Sequence, residues 1–137
     1  MKLAAFTSGD INMASSRLRS YYLFRSNAWK DHEVVFNPSV FSINNFHWLH
    51  IQKMYAPRYV LLVLYARIMG KFVVFDLDDE STKLTHRIAI YIMFKLSNSV
   101  ATDSELKQQY FIKKYNQKNI IVIPEPMDID EQNIGTT

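Results

Sequence analysis

Cysteine is absent from the 137-residue chain, which excludes disulfides, zinc–thiolate sites and thiol catalysis and fits a reducing compartment. Glycine is scarce. Three residues cannot build the G-x-G-x-x-G turn of a dinucleotide fold or the G-x-x-x-x-G-K-[ST] phosphate cradle, and neither pattern occurs. There is no H-E-x-x-H, and His32, His47, His50 and His86 have no ligand spacing, so no metal is expected. The longest apolar run, Tyr59 to Met69, is broken by Arg67 and is too short to span a bilayer. The opening residues, Met1 to Thr7, turn polar too soon for a secretory leader. The expected setting is cytoplasmic, with peripheral contact at the inner membrane face left open.

Neither charge sign dominates. Sixteen basic and 13 acidic residues give +3, and the pI is near 9.1. That balance permits attraction to anionic ligands or a phospholipid surface but lacks the dense Lys/Arg stripe of a nucleic-acid binder, so no nucleic-acid partner is expected. With 48% apolar and 21% charged residues, the composition is that of a soluble domain with a real core.

What is present is a repeated alternation. Phe72 to Leu77 (FVVFDL) reads as a strand buried on both faces that runs into the acidic cluster Asp76, Asp78, Asp79. Lys2–Thr7, His32–Phe36, Trp48–Gln52, Ser99–Thr102 and Ile120–Ile123 read as five more strands. Ser39 to Asn45 fits either an irregular loop or a short extra strand. Ser15 or Ser16 would cap a first helix carrying Leu18, Tyr21 and Tyr22. Pro57 suits the first turn of a second helix, which Gly70 would stop; apolar nearly all round, it should be largely covered. Ser81 or Thr82 starts a third helix, with Leu84, Ile88, Ile92 and Leu96 on one stripe. Thr102 and Glu105 have the spacing of a capping box for a fourth, running through Tyr115.

This order predicts an α/β fold: a Rossmann-like, doubly wound, mostly parallel six-stranded sheet with helices on both faces. Residues 1–127 would form the domain and 128–137 a polar linker. In such a sheet the loops at the carboxyl ends of the strands share one crevice. That edge would gather Ser8, Gly9, Asp10, Asn37, Lys53, Asp76, Leu77, Asp78, Asp79, Thr102, Asp103, Ser104 and Glu125. A loop with glycine that enters a helix N-terminus offers free N–H groups to an anion, and Arg17 one turn in would add a bidentate contact. Alternatively, Arg17 and Arg19 lie on a solvated helix face.

Phe75-Asp76-Leu77-Asp78 resembles the first motif of haloacid-dehalogenase-type phosphatases, which implies Asp76 as nucleophile, Asp78 as acid–base and a magnesium ion. Against it, Glu80 stands where that family has Thr or Val, and the motif lies past the midpoint. A structural role, with Asp79 or Ser81 capping the next helix, is the other reading.

A resemblance spans nearly the whole chain. Ser15-Ser16-Arg17-Leu18-Arg19, Ile51-Gln52-Lys53, Val73 to Asp79, Ala101 to Glu105 and Val122 to Asp128, in this order, are similar to the N-terminal half of group 1 glycosyltransferases of the GT-B architecture. The resemblance implies a Rossmann-like domain that holds a sugar or lipid-linked acceptor. A C-terminal domain, in cis or in trans, would bind the nucleotide-sugar donor, with no required metal or other cofactor. Pro124 to Asp128 would mark the hand-over between domains. Ser8, Gly9 and Asp10 would approach the sugar or its diphosphate, and Arg17, Asp78 and Asp79 would face the same cleft. The donor half and its paired glutamates have no counterpart in these residues, so little or no transfer by the chain alone is expected. The alternative from another class is a non-catalytic binding module for a lipid-linked acceptor or a partner protein. It would use the same crevice or the aromatic stretch Phe41 to Tyr59 at a membrane interface.

Overall fold

A computed structural model describes residues 1–7, 30–77 and 80–123. Six parallel strands form one sheet: β1 (Lys2–Phe6), β2 (Glu33–Phe36), β3 (Trp48–Gln52), β4 (Phe72–Asp76), β5 (Ser99–Thr102) and β6 (Ile120–Val122), in the order β2-β1-β3-β4-β5-β6. Their bounds match the expected strands to within one residue; in β2, β4, β5 and β6 β-branched and aromatic side chains suit the pleated surface. β3 meets β1 through Leu49↔Ala4 and meets β4 through Gln52↔Asp76. The Rossmann-like α/β expectation holds in its central feature, an all-parallel sheet with helical crossovers.

The described helices α1 (Pro57–Ile68), α2 (Leu84–Leu96) and α3 (Glu105–Tyr115) connect β3 to β4, β4 to β5 and β5 to β6. All three pack on one sheet face. There Leu62, Val63 and Ala66 of α1, Ile90, Met93 and Phe94 of α2, and Phe111 and Tyr115 of α3 meet Leu49, Phe75 and Val100 of the strands. Phe94 stacks on Tyr115 with ring centres 4.1 Å apart and meets Phe111 and Phe75 edge-on. The opposite face holds a smaller cluster, Leu3 and Ala5 with Val34, Phe36 and Trp48. The helix expected from Ser15 or Ser16 lies outside the described residues.

Local chemistry sets the helix ends. Pro57 opens α1, where its missing N–H is no loss. Gly70 closes it at φ 77, with Gly70 N–H donating to Arg67 C=O and Lys71 N–H to Ala66 C=O, the paired bonds of a Schellman turn. The segment left open between loop and strand is a 3₁₀ helix, Val40–Asn45, held by Ser39 Oγ accepting from Phe41 N–H.

Three expectations change. The Thr102/Glu105 capping box does not form, because Thr102 stays in β5 paired with Val122; Ser104 caps α3 instead, accepting from Lys107 N–H at 3.2 Å. Neither Ser81 nor Thr82 is the N-terminal cap of α2, which begins at Leu84 after Lys83. Most important, α1 is not largely covered. Leu61, Leu64, Tyr65 and Ile68 are exposed, and on α2 so are three of the four stripe residues, Leu84, Ile88 and Ile92.

Candidate functional site

The direction of winding reverses between β1 and β3, which are neighbours although β2 separates them in sequence. A crevice opens beyond the carboxyl ends of the strands at such a switch point. Thr7 and Asn37, at the tips of β1 and β2, lock that end together. Thr7 N–H donates to Asn37 Oδ1 at 2.9 Å, and Asn37 Nδ2 returns a bond to Thr7 Oγ1 at 3.0 Å. Asn37 adopts a left-handed backbone, φ 50, which asparagine tolerates better than most residues.

Lys53 follows β3 at φ 55. A lysine gains nothing locally from the left-handed region, which costs roughly 1–2 kcal/mol in an L-residue. Its N–H donates to the Asp76 carbonyl at 2.9 Å, so the turn is fastened to the end of β4. Lys53 then lines a groove of about 550 Å³ with Tyr55, Tyr59, Thr85 and His86. His86 meets the Tyr55 ring edge-on at 5.3 Å, and its Nδ1 lies 3.0 Å from Ser81 Oγ.

The groove runs between the starts of α1 and α2. Neither helix has a side-chain cap: Ala56 precedes α1 and Lys83 precedes α2. The first-turn N–H groups and the positive end of each helix dipole therefore face this region from two sides. The Lys53 side chain brings a basic group to the same wall. The tyrosine rings add apolar faces of the kind that pack against a sugar.

Beneath the rim lies a buried pair. On the sheet face opposite the helices, His50 Nε2 and Asp76 Oδ2 are 3.2 Å apart, both side chains almost fully enclosed. Asp76 is thus an interior partner of His50. Thr102 does not reach the rim either; it is fully buried, and its hydroxyl lies in the interior. Of the residues expected at the crevice, Lys53 lines the groove. Ser8, Gly9, Asp10, Arg17, Asp78, Asp79 and Glu125 lie outside the described residues.

Glu80, which the sequence reading noted only as a mismatch to the phosphatase motif, is tied to α3. Glu80 accepts from Lys114 Nζ at 2.7 Å and from the Tyr115 hydroxyl. Burial pushes its carboxyl up, but the bonds from Lys114 and Tyr115 outweigh that and hold it below the usual carboxylate range. Hydrogen bonding to Glu80 raises Lys114, while burial and then the same carboxylate raise Tyr115. The partners lie 34 and 35 residues away in sequence, so no local signal announces them.

Among the described residues no three His, Asp or Glu side chains gather as metal ligands. Nor is any described helix long and apolar enough to cross a membrane. Comparison with known proteins returned no matching family model, no matching curated protein and no matching solved structure.

Proposed function

We propose that the chain is the acceptor-side half of a glycosyltransferase and that the groove at Lys53 holds the sugar or sugar-phosphate end of its ligand. The observation that carries this reading is the groove itself. It lies at the carboxyl edge of an all-parallel sheet, between two helix starts without side-chain caps, with a left-handed lysine and two tyrosines on its wall. Backbone strain of this kind concentrates at functional sites. The family resemblance of the motifs supplies the reaction class. Lys53 pairs with the anionic group, Tyr55 and Tyr59 pack on the sugar, and His86 offers a hydrogen-bonding edge. Transfer needs a donor pocket that these residues do not build, so a second α/β domain, in cis or in trans, completes the cleft.

Calorimetric titration of the full chain with glucose 1-phosphate, glucose and pyrophosphate tests it. The sugar phosphate is expected to bind most tightly, and Lys53→Ala should weaken it about tenfold or more, the loss of one charge-assisted hydrogen bond. Tyr55→Ala should weaken the sugar phosphate but not pyrophosphate. Absence of saturable binding by all three probes contradicts the groove assignment. Turnover of nucleotide sugars by the chain alone contradicts the half-site reading.

A further inference from the structure

The outward surface of α1 and α2 poses a separate question. On α1, Leu61, Leu64, Tyr65 and Ile68 recur at i, i+3, i+4 and i+7, the spacing of a buried stripe, yet they face out; Ile68 is 73% and Leu61 65% exposed. On the neighbouring α2, Leu84, Ile88, Tyr91 and Ile92 do the same, with Leu84 70% exposed. Both helices already have an inner apolar face in the core. Beside α1, the 3₁₀ helix sets Phe41 at 92% exposure on an apolar groove that also takes in Val40, Leu61 and Tyr65. Isolated exposed leucines need no explanation, but two adjoining stripes do.

Among the described residues, the charge along these two helices has one sign. From Val34 through Phe75 the sequence contains no Asp or Glu, and from Ser81 through Thr102 again none. Arg58, Arg67, Lys83 and Arg87 are exposed along the same two helices. The nearest acid in sequence, Glu80, is committed to Lys114 and Tyr115. α3 is different in kind, with Glu105, Lys107, Lys113 and Lys114 mixing both signs on its surface. A second copy of the chain docked here would set arginines against arginines with no carboxylate on either helix to meet them. An anionic lipid surface satisfies both halves of the pattern: hydrocarbon takes the leucine and isoleucine tips, headgroups take the cations, and Tyr65 and Tyr91 suit the boundary.

We infer that the paired outer faces of α1 and α2 form a docking surface for an anionic phospholipid bilayer. The protein lies on the membrane through these helices without crossing it. The inference rests on the surface alone and stands whether or not the groove binds a sugar phosphate.

Vesicle co-sedimentation of the full chain tests it, with phosphatidylcholine vesicles compared to vesicles enriched in phosphatidylglycerol. Sedimentation with the anionic vesicles is expected, weakened by added salt and largely absent with phosphatidylcholine alone. Arg58→Ala and Arg67→Ala should each lower partitioning about fivefold. Leu61→Asp and Ile88→Asp, which sit on exposed positions and should leave the circular dichroism unchanged, should each abolish it. Leu106→Asp, at a still more exposed apolar position on α3, should have no effect. Failure to sediment with anionic vesicles at low salt overturns the inference, as does equal loss in Leu106→Asp. A chain that self-associates and becomes monomeric in Leu61→Asp assigns the face to a second copy and likewise overturns it.

Discussion

α3 and the pair α1 and α2 lie on the same sheet face and share one core, yet they are built to different specifications. α3 follows the ordinary rules: Ser104 caps it, Glu105 stands at its positive end, Lys113 and Lys114 at its negative end, and Asn116 closes it in the left-handed region. α1 and α2 break these rules in concert. Their starts lack side-chain caps where they border the groove, and their outer faces are apolar and basic. Departures from local consistency concentrate where a protein binds something. On the proposed reading α3 serves the fold, whereas α1 and α2 serve the fold on their inner faces and binding at their starts and outer faces.

The inner faces should dominate stability. Phe94→Ala removes the ring at the centre of the Phe75–Phe94–Tyr115–Phe111 cluster, and chemical denaturation should report a loss of about 3–5 kcal/mol. Leu61→Ala on the outer face should change stability by less than about 0.5 kcal/mol. Comparable losses at both positions would erase the distinction.

Caps should separate the helices next. Ser104→Ala is expected to cost about 1 kcal/mol. Ala56→Asp, which gives α1 the cap it lacks, should stabilise the chain by a similar amount while weakening anion binding in the groove. Gain in stability with no change in binding would show that the bare helix start is not part of the site. Lys53→Gly should act in the same two directions. Relief of the left-handed backbone should add about 1 kcal/mol, and loss of the ammonium should remove binding.

The smallest expected effect is on pH. Glu80 is held below its ordinary value of 4.5, so its folded form binds a proton less readily than its unfolded form. Its contribution is present in full above that value and is lost as pH falls through the lower folded one. Glu80→Gln should flatten the acid limb of the stability profile in that window. An unchanged limb would mean that the Lys114 and Tyr115 bonds do not hold the loop.

Much of this architecture was legible in the residues. β-branched runs named β2, β4 and β6, while Pro57 and Gly70 bracketed α1. What could not be read has physical reasons. A helix apolar nearly all round has no periodicity to say which side is covered, so the exposure of Leu61 and Ile68 came from the sheet's position rather than from spacing. The capping-box pattern at Thr102 and Glu105 was outcompeted by strand pairing with Val122. The left-handed backbone at Lys53 carries no glycine to announce it, and Glu80 finds its partners across the fold. At the site, Lys53 was found by its place at a strand end, and Tyr55 and Tyr59 lay in the aromatic stretch read as an alternative binding surface, whereas Thr85 and His86 required the folding-together of two helix starts.

An amide-resolved NMR titration of the chain with glucose 1-phosphate tests the central claim most directly. Shifts confined to residues 53–56, Tyr59 and residues 85–89, absent in Lys53→Ala, are the predicted result. Saturable shifts centred on α3, or none at the two helix starts, would contradict it.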